Sequence, residues 1–156
     1  MAGPHQLLTM STFKFTIVSP ERTVLEADVV QVSLPTETGQ ITVLPHHIAL
    51  VSHIVPGEIV LQREGGNEES LAVSGGFVQV AGTAMTILAD TAEMAHEISE
   101  EKAIDAHARA VKLLESKSGI EDHETARLQV LMEKEMTRLK VVRKYKQRAG
   151  HTIDLK

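Results

Sequence analysis

The 156-residue chain contains no cysteine and no tryptophan, and only four of its residues are aromatic. The lack of cysteine excludes disulfide frameworks, thiolate zinc sites and cysteine nucleophiles. So few aromatic side chains argue against a stacking platform for single-stranded nucleic acid. The 16 basic and 21 acidic residues give a net charge of −5, which argues against a dedicated nucleic-acid-binding protein. No apolar run approaches the roughly 20 residues needed to span a bilayer.

The first residues also lack the features of a targeting segment. Residues 1–9 contain neither lysine nor arginine and no long apolar run, so they do not resemble a signal peptide. Met10 can serve as the natural start. We therefore interpret residues 1–11 as an extension or a disordered segment, and we expect a soluble intracellular protein.

Glycine and proline become scarce after the first half of the chain. All five prolines precede residue 57, and beyond Gly82 only Gly119 and Gly150 remain. Because both residue types are disfavoured inside helices, the chain changes character between residues 83 and 98. We predict a β domain over residues 12–92, a helical unit over residues 97–149 and a tail over residues 150–156.

The β domain shows the period-two alternation of strands. Apolar and polar residues alternate in the segments that contain Phe13–Val18, Val30–Leu34 and Met85–Ala89. Turn signals recur between them at Ser19-Pro20, Pro35 to Gly39, Pro56-Gly57, Gly65-Gly66, Gly75-Gly76 and Gly82. Short strands at this spacing are typical of an antiparallel sandwich or barrel, and we predict an antiparallel β-sandwich.

The helical unit is predicted to form two helices. Ser99 is a suitable N-cap for the first, and Gly119 a suitable residue for its end. The second helix is predicted from about Glu121 to Arg148, with Gly150 closing it. The apolar stripes predicted to pack are Ile104, Ala108, Val111 and Leu114 on the first helix, and Leu128, Leu131, Met132, Met136, Leu139 and Val142 on the second. So short a connection predicts an antiparallel two-helix hairpin, hence a mixed fold of β followed by α.

The first predicted helix is rich in alanine, so it buries little area per turn. Packing supplies most of the stability of a helix in a protein. One interpretation is a hairpin that can leave its own domain and bind elsewhere. The other is a permanently docked two-helix layer, and the sequence leaves both open.

Charge is distributed unevenly along the chain. Residues 12–90 carry three basic and nine acidic residues, a net charge of −6. The segment from Met136 to Arg148 has six basic residues and no acidic one: Arg138, Lys140, Arg143, Lys144, Lys146 and Arg148. Such a run is either a solvated face or a surface attracted to an acidic partner. The lack of large apolar anchors beside it makes membrane-surface binding the weaker interpretation.

Motifs for catalysis are missing. No GxxxxGK[ST] loop or GxGxxG stretch is present, and Ser74-Gly75-Gly76 lacks the first glycine of a GxSxG nucleophile elbow. We interpret that segment as a turn that opens the Phe77 strand. The adjacent His46 and His47 would point to opposite faces of a strand, and no nearby residue completes a ligand set. We therefore expect neither an enzyme nor a metal site.

Four motifs, in order, resemble the F-type ATP synthase epsilon chain family. Residues 13–22, FKFTIVSPER, resemble its opening strand and turn. Residues 35–47, PTETGQITVLPHH, resemble a glycine turn that leads to a Leu-Pro-x-His corner, although Thr42 and His46 stand where glycine is usual. Gly57 after Pro56 and the segment Ser74 to Phe77 follow at matching positions. With the hairpin, the resemblance covers roughly residues 12–148.

The resemblance implies a non-catalytic rotor subunit of the central stalk. The sandwich would be fixed to the gamma chain and rest on the c-subunit ring, where rotation couples proton or sodium flow to ATP synthesis in the α and β chains. The residues implied at the c ring are Glu37, Thr38, Gly39 and Gln40. The hairpin would inhibit ATP hydrolysis, and Arg138, Lys140, Arg143 and Lys144 would meet acidic β-chain surfaces.

The resemblance also bears on cofactors and location. Some bacterial family members bind ATP through an Ile/Leu-Asp-x-x-Arg-Ala motif, but Asp105 and Arg109 are one residue further apart here. One extra residue rotates Arg109 by about 100° around a helix. We therefore expect no cofactor and assign no residue to ATP. The lack of a presequence favours a bacterial chain, held peripherally at the cytoplasmic side of the plasma membrane.

Two other classes of protein compete with this interpretation. A stand-alone β-sandwich binding module with a coiled-coil tail would self-associate through the Leu128 to Val142 stripe. It would have no affinity for ATP synthase chains. A small enzyme would need an acid–base constellation, which the sequence does not offer.

Overall fold

The computed structural model describes residues 10–116 and 121–151, and the side chains of all of these except His151. Ten strands come first and two helices last, which confirms the predicted order of β followed by α. Most of the predicted extension and tail, and the predicted helix end at Gly119, lie outside the described residues. The strands are β1 Phe13–Val18, β2 Thr23–Val29, β3 Gln31–Thr36, β4 Gly39–Val43, β5 Leu50–Ile54, β6 Gly57–Gln62, β7 Glu68–Val73, β8 Gly76–Ala81, β9 Ala84–Ala89 and β10 Ala92–Met94.

The strands hydrogen-bond in the order β10-β7-β6-β3-β5-β8-β9-β1-β2, and β4 pairs with β3. The two end strands, β2 and β10, are in contact, so the sheet curves back on itself and encloses one core. Every pairing is antiparallel except that of β1 with β9, which is parallel. The largest fully buried side chains are Phe15, Ile17, Leu34, Ile54, Ile59, Leu61, Leu71, Met85 and Ile87. The predicted sandwich is therefore confirmed, with one parallel pair that no local pattern indicated.

Two motif glycines allow backbones to approach closely. Gly76 has φ +139°, and a Cβ built there would lie 2.1 Å from the carbonyl oxygen of Leu88. It begins β8, so Ser74-Gly75-Gly76 does open the Phe77 strand, as predicted. A Cβ on Gly57 would lie 2.8 Å from Cγ of Pro35, so this glycine lets β6 pass beside β3. These close contacts explain why neither Gly57 nor Gly76 can be replaced by a residue with a side chain without strain.

A short 3-10 helix at Ala95–Glu97 leads into helix α1, Glu100–Ser116, and helix α2 follows at Asp122–His151. Ser99 caps α1 as predicted, since its Oγ accepts a hydrogen bond from the backbone N–H of Lys102 at 3.4 Å. The two helices pack on each other, and α2 also packs on β6, β7 and the 3-10 helix. Gly150 lies within α2, so the prediction that it ends the helix was wrong. One glycine near a helix end costs only about 1 kcal/mol, which does not by itself stop a helix.

The predicted packing face of α1 was only partly right. Val111 and Leu114 of the predicted stripe are half-buried, but Ile104 and Ala108 are exposed, and the buried residues are Ala103 and Ala110. A hydrophobic pattern selects large side chains, whereas the limited space between two packed helices also suits small ones such as alanine. On α2 the predicted stripe divides: Leu139 and Val142 are buried, Leu128 and Met132 are half-buried, and Leu131 and Met136 are exposed.

Candidate functional site

The β3–β4 turn presents the four residues that were predicted to meet the c ring. Glu37, Thr38, Gly39 and Gln40 are all exposed at its tip. Gly39 has φ +116°, a conformation that favours glycine. The Thr36 hydroxyl donates a 2.7 Å hydrogen bond to the Gly39 carbonyl oxygen and so closes the turn. The structure therefore brings these four residues together on one protruding surface.

His53 links this turn to the neighbouring strand β5. The sequence patterns did not identify this residue as part of the site. Its Nδ1 lies 3.0 Å from Oε1 of Glu37, and its ring stands edge-on to that of Phe77 at a centroid distance of 5.1 Å. The pairing of β5 with β8 places His53 directly opposite Phe77. The charged tip and the apolar surface beside it are thus continuous.

An apolar row crosses the outer face of four adjacent strands. His53 pairs with Phe77, Phe77 with Leu88, and Leu88 with Val18, so their side chains share one face. Phe77 and Leu88 are 56% and 58% exposed, and Val51 on β5 is 71% exposed. We call Val18, Val51, Phe77 and Leu88 the outer apolar face. A cluster of exposed apolar side chains is a candidate interaction surface.

Most of the predicted basic residues of α2 form ion pairs within the chain itself. Arg138 donates two hydrogen bonds to the Glu93 carboxylate, at 2.8 and 3.2 Å, and one to Glu135 at 2.8 Å. Burial opposes the charge of Arg138, but the hydrogen bonds to Glu93 and Glu135 outweigh it and raise the pKa of the guanidinium. Lys144 lies 3.4 Å from a carboxylate oxygen of Glu58, an acid that Arg148 also contacts.

Glu100 joins the two helices of the hairpin to each other. Arg143 and Lys146 of α2 donate to Glu100 of α1 at 2.8 and 2.6 Å. These two hydrogen bonds lower the pKa of the Glu100 carboxyl. Lys140 is exposed and has no ion-pair partner within the part of the chain that the structure describes. Of the four basic residues predicted to meet a partner, three are therefore ion-paired internally.

The apolar contact between hairpin and sandwich is small. It consists of Ala72, Ala95, Ile98, Val141 and Val142, with Tyr145 packed against them. Beside it lies a crevice of about 350 Å³ lined by side chains of both charges, among them Arg22, Asp90, Glu97 and Lys134. Asp105 and Arg109, the pair left without an ATP assignment, do not line it and are exposed on α1.

The described residues offer neither a cluster of metal ligands nor a membrane-spanning helix. Within residues 10–116 and 121–151, no group of three or more histidine, aspartate or glutamate side chains is placed to hold a metal ion. In the same ranges, neither helix is long and apolar enough to cross a membrane.

A ten-stranded sandwich with a small docked hairpin is a class of fold shared with known proteins. A chain of the Euglena gracilis mitochondrial ATP synthase, seen by cryo-EM with OSCP, F1 and c-ring, is similar with a TM-score of 0.65 at 23% identity, covering 85% of each chain. A chain of the Tetrahymena thermophila mitochondrial ATP synthase central stalk and c-ring gives a TM-score of 0.57 at 11% identity, covering 83% of this chain and 95% of that one. At these identities the likeness establishes the fold.

Sequence comparison identifies the family. Residues 12–95 match the family described as ATP synthase, Delta/Epsilon chain, beta-sandwich domain. The ATP synthase epsilon chain of Dichelobacter nodosus is 41% identical over 131 residues, which are 83% of this chain and 92% of that protein. That of Nitrosococcus oceani is 34% identical over 139 residues, which are 89% and 98%. The chain belongs to the ATP synthase epsilon chain family.

Proposed function

We propose that the chain is a non-catalytic rotor subunit of the central stalk of an F-type ATP synthase. In this role it links the gamma chain to the c-subunit ring during proton-driven ATP synthesis in the neighbouring α and β chains. We assign it no active site of its own. Its place is peripheral, at the cytoplasmic face of a bacterial plasma membrane, held there through the complex.

The observation that carries the docking proposal is the outer apolar face. Its exposed Phe77 and Leu88 stand side by side on a rigid sheet, where side chains are held in place by strand pairing. A preorganised apolar cluster of this kind supplies the buried centre of a protein interface. We assign this face to the gamma chain, and the adjoining tip from Glu37 to Gln40 to the c ring.

The same subunit is proposed to restrain ATP hydrolysis through its helical hairpin. The small apolar contact, and the exposure of the cations Lys144 and Arg148 that pair with Glu58, support a hairpin that leaves the sandwich at low free-energy cost. Its basic residues would then meet acidic surfaces of the β chain. The competing coiled-coil module is disfavoured, since Leu139 and Val142, which it needs for self-association, are buried within the chain.

The proposal is tested by titrating the ATPase activity of a purified α, β and gamma core with this chain. Two forms are compared, the full chain and one that ends after Ile98 and so lacks both helices. We expect both to bind the core and only the full chain to slow hydrolysis. Binding of the shortened form to the core serves as the control, because it shows that this form is folded. Equal inhibition by both forms contradicts the proposed role of the hairpin.

A further inference from the structure

Five basic residues of α2 form ion pairs with other elements, and they divide into two groups by the element on which the acid lies. Arg143 and Lys146 pair with Glu100, which lies on α1 and therefore within the hairpin. The other group crosses to the sandwich: Arg138 pairs with Glu93 on β10, and both Lys144 and Arg148 pair with Glu58 on β6. Among these ion pairs, those of the second group join the hairpin to the sandwich.

We infer that Glu58 and Glu93 form a two-point acidic receptor that holds α2 on the sandwich and sets how often the hairpin leaves it. The inference rests on the proposed mobile hairpin and specifies what regulates it. While the receptor is occupied, Arg138, Lys144 and Arg148 are ion-paired inside the chain. An acidic partner surface therefore competes with Glu58 and Glu93 for the same three cations.

The geometry favours carboxylates at both points of the receptor. Glu58 has a side chain only 11% exposed, yet it receives two cations, and Arg148 also donates to Ser70 Oγ at 2.8 Å. A largely buried carboxylate is stable only when it is paired. At the other point the paired, two-fold hydrogen bonding of Arg138 with Glu93 fixes orientation as well as distance.

The cations at the two points differ in exposure, and this predicts how the two contacts respond to salt. The side chain of Arg138 is 19% exposed, whereas Lys144 is 66% exposed. Screening by salt acts strongly on exposed pairs and weakly on buried ones. The contact at Glu58 therefore loosens first as salt rises, while the contact at Glu93 persists.

The receptor acts beside a small apolar contact. Two of the five buried residues between hairpin and sandwich are alanines, so the apolar area that holds them together is limited. Under these conditions a few charged hydrogen bonds can decide the balance between the docked and undocked states.

The test measures the docked fraction of the isolated full-length chain. The sequence contains no cysteine, so Asn67→Cys and Gln129→Cys provide two unique and exposed positions for spin labels. Pulsed electron paramagnetic resonance then gives the distance distribution between sandwich and hairpin. We compare Glu58→Gln and Glu93→Gln with Glu69→Gln, a control whose ion pair with Arg63 lies within the sandwich.

We expect Glu93→Gln to lower the ratio of docked to undocked chains by about tenfold, because it replaces charged hydrogen bonds with neutral ones. Glu58→Gln should lower it by about threefold, since its cations are more exposed. Glu69→Gln should leave the ratio unchanged. Raising the salt from about 0.05 to about 0.5 M should lower the ratio in the unsubstituted chain, and less so in Glu58→Gln.

An unchanged ratio in both Glu58→Gln and Glu93→Gln overturns the receptor. So does an equal fall in all three variants. A ratio that does not fall with salt in the unsubstituted chain also overturns it, without any substitution. If the two variants undock but inhibit the ATPase core no more than the unsubstituted chain, the receptor stands and the proposed brake fails.

Discussion

Arg138 and Glu93, 45 residues apart in the chain, face each other across the boundary between hairpin and sandwich with two parallel hydrogen bonds. The arrangement joins the end of the β domain to the middle of the last helix. A third hydrogen bond from the same guanidinium reaches Glu135 on its own helix. The docked position of α2 is thereby specified by charge as well as by apolar contact.

Replacing Ala110 with leucine should force the two helices apart. Ala110 is buried, and α1 packs against α2. Overpacking of this kind costs about 1–3 kcal/mol. We expect Ala110→Leu to lower the free energy of unfolding of the hairpin by this amount in a denaturant titration. Ala108→Leu, on the exposed side of the same helix, is the matched control and should have little effect.

Replacing Gly76 with alanine should destabilise the sandwich. The added Cβ would lie 2.1 Å from the Leu88 carbonyl oxygen, at φ +139°. We expect a loss of at least about 3 kcal/mol, since strain and a backbone clash add together. Gly66→Ala, where φ is +85° and the surroundings are open, should lose only about 1–2 kcal/mol. Equal losses in the two unfolding titrations would contradict the role given to the Leu88 carbonyl.

His46 is strained in a way that a glycine would relieve. Its φ is +66°, and among the residues described it is the one non-glycine with a positive φ. His46→Gly should raise the free energy of unfolding by about 0.5–1 kcal/mol, since the gain exceeds the added entropy of the unfolded chain. His47→Gly is the control and should lose stability, because His47 Nδ1 contacts the Ile48 carbonyl oxygen at 2.7 Å.

Acid should weaken the tie within the hairpin. Hydrogen bonds from Arg143 and Lys146 hold the pKa of Glu100 below its usual value of 4.5. Its stabilisation is therefore complete above pH 4.5 and is lost as the pH falls through the lower, folded-state value. Glu100→Gln should melt at lower temperature at pH 7 and lose less on acidification, as measured by circular dichroism. Glu101→Gln, its exposed neighbour, should behave like the unsubstituted chain.

Two predictions that depend on short-range features were confirmed. Ser74-Gly75-Gly76 and the Ser99 cap are short-range features, and both lie where they were expected. On α1 the hydrophobic pattern selected Ile104, which is exposed, and overlooked Ala103 and Ala110, which are buried, because such a pattern favours large side chains whereas helix packing also uses small ones.

Long-range relationships were beyond the sequence patterns. The parallel pairing of β1 with β9 and the contact of Arg148 with Glu58, 90 residues away, depend on how the whole chain folds. The basic run of α2 was recognised, but its internal partners were not. His53 was missed for the same reason, since its contact with Glu37 arises only when β5 lies beside β3. The c-ring role of residues 37–40 and the partner role of the basic run stay predictions.

The most direct measurement is the affinity of the full chain for a core of α, β and gamma chains from a matched organism, determined by calorimetry. We predict tight binding that Phe77→Asp weakens by at least about tenfold, because a charge would be buried at the centre of the interface. Leu113→Asp, at a comparably exposed apolar position on the hairpin, should leave the affinity unchanged. No binding of the unsubstituted chain, or equal binding of Phe77→Asp, would contradict the proposed docking.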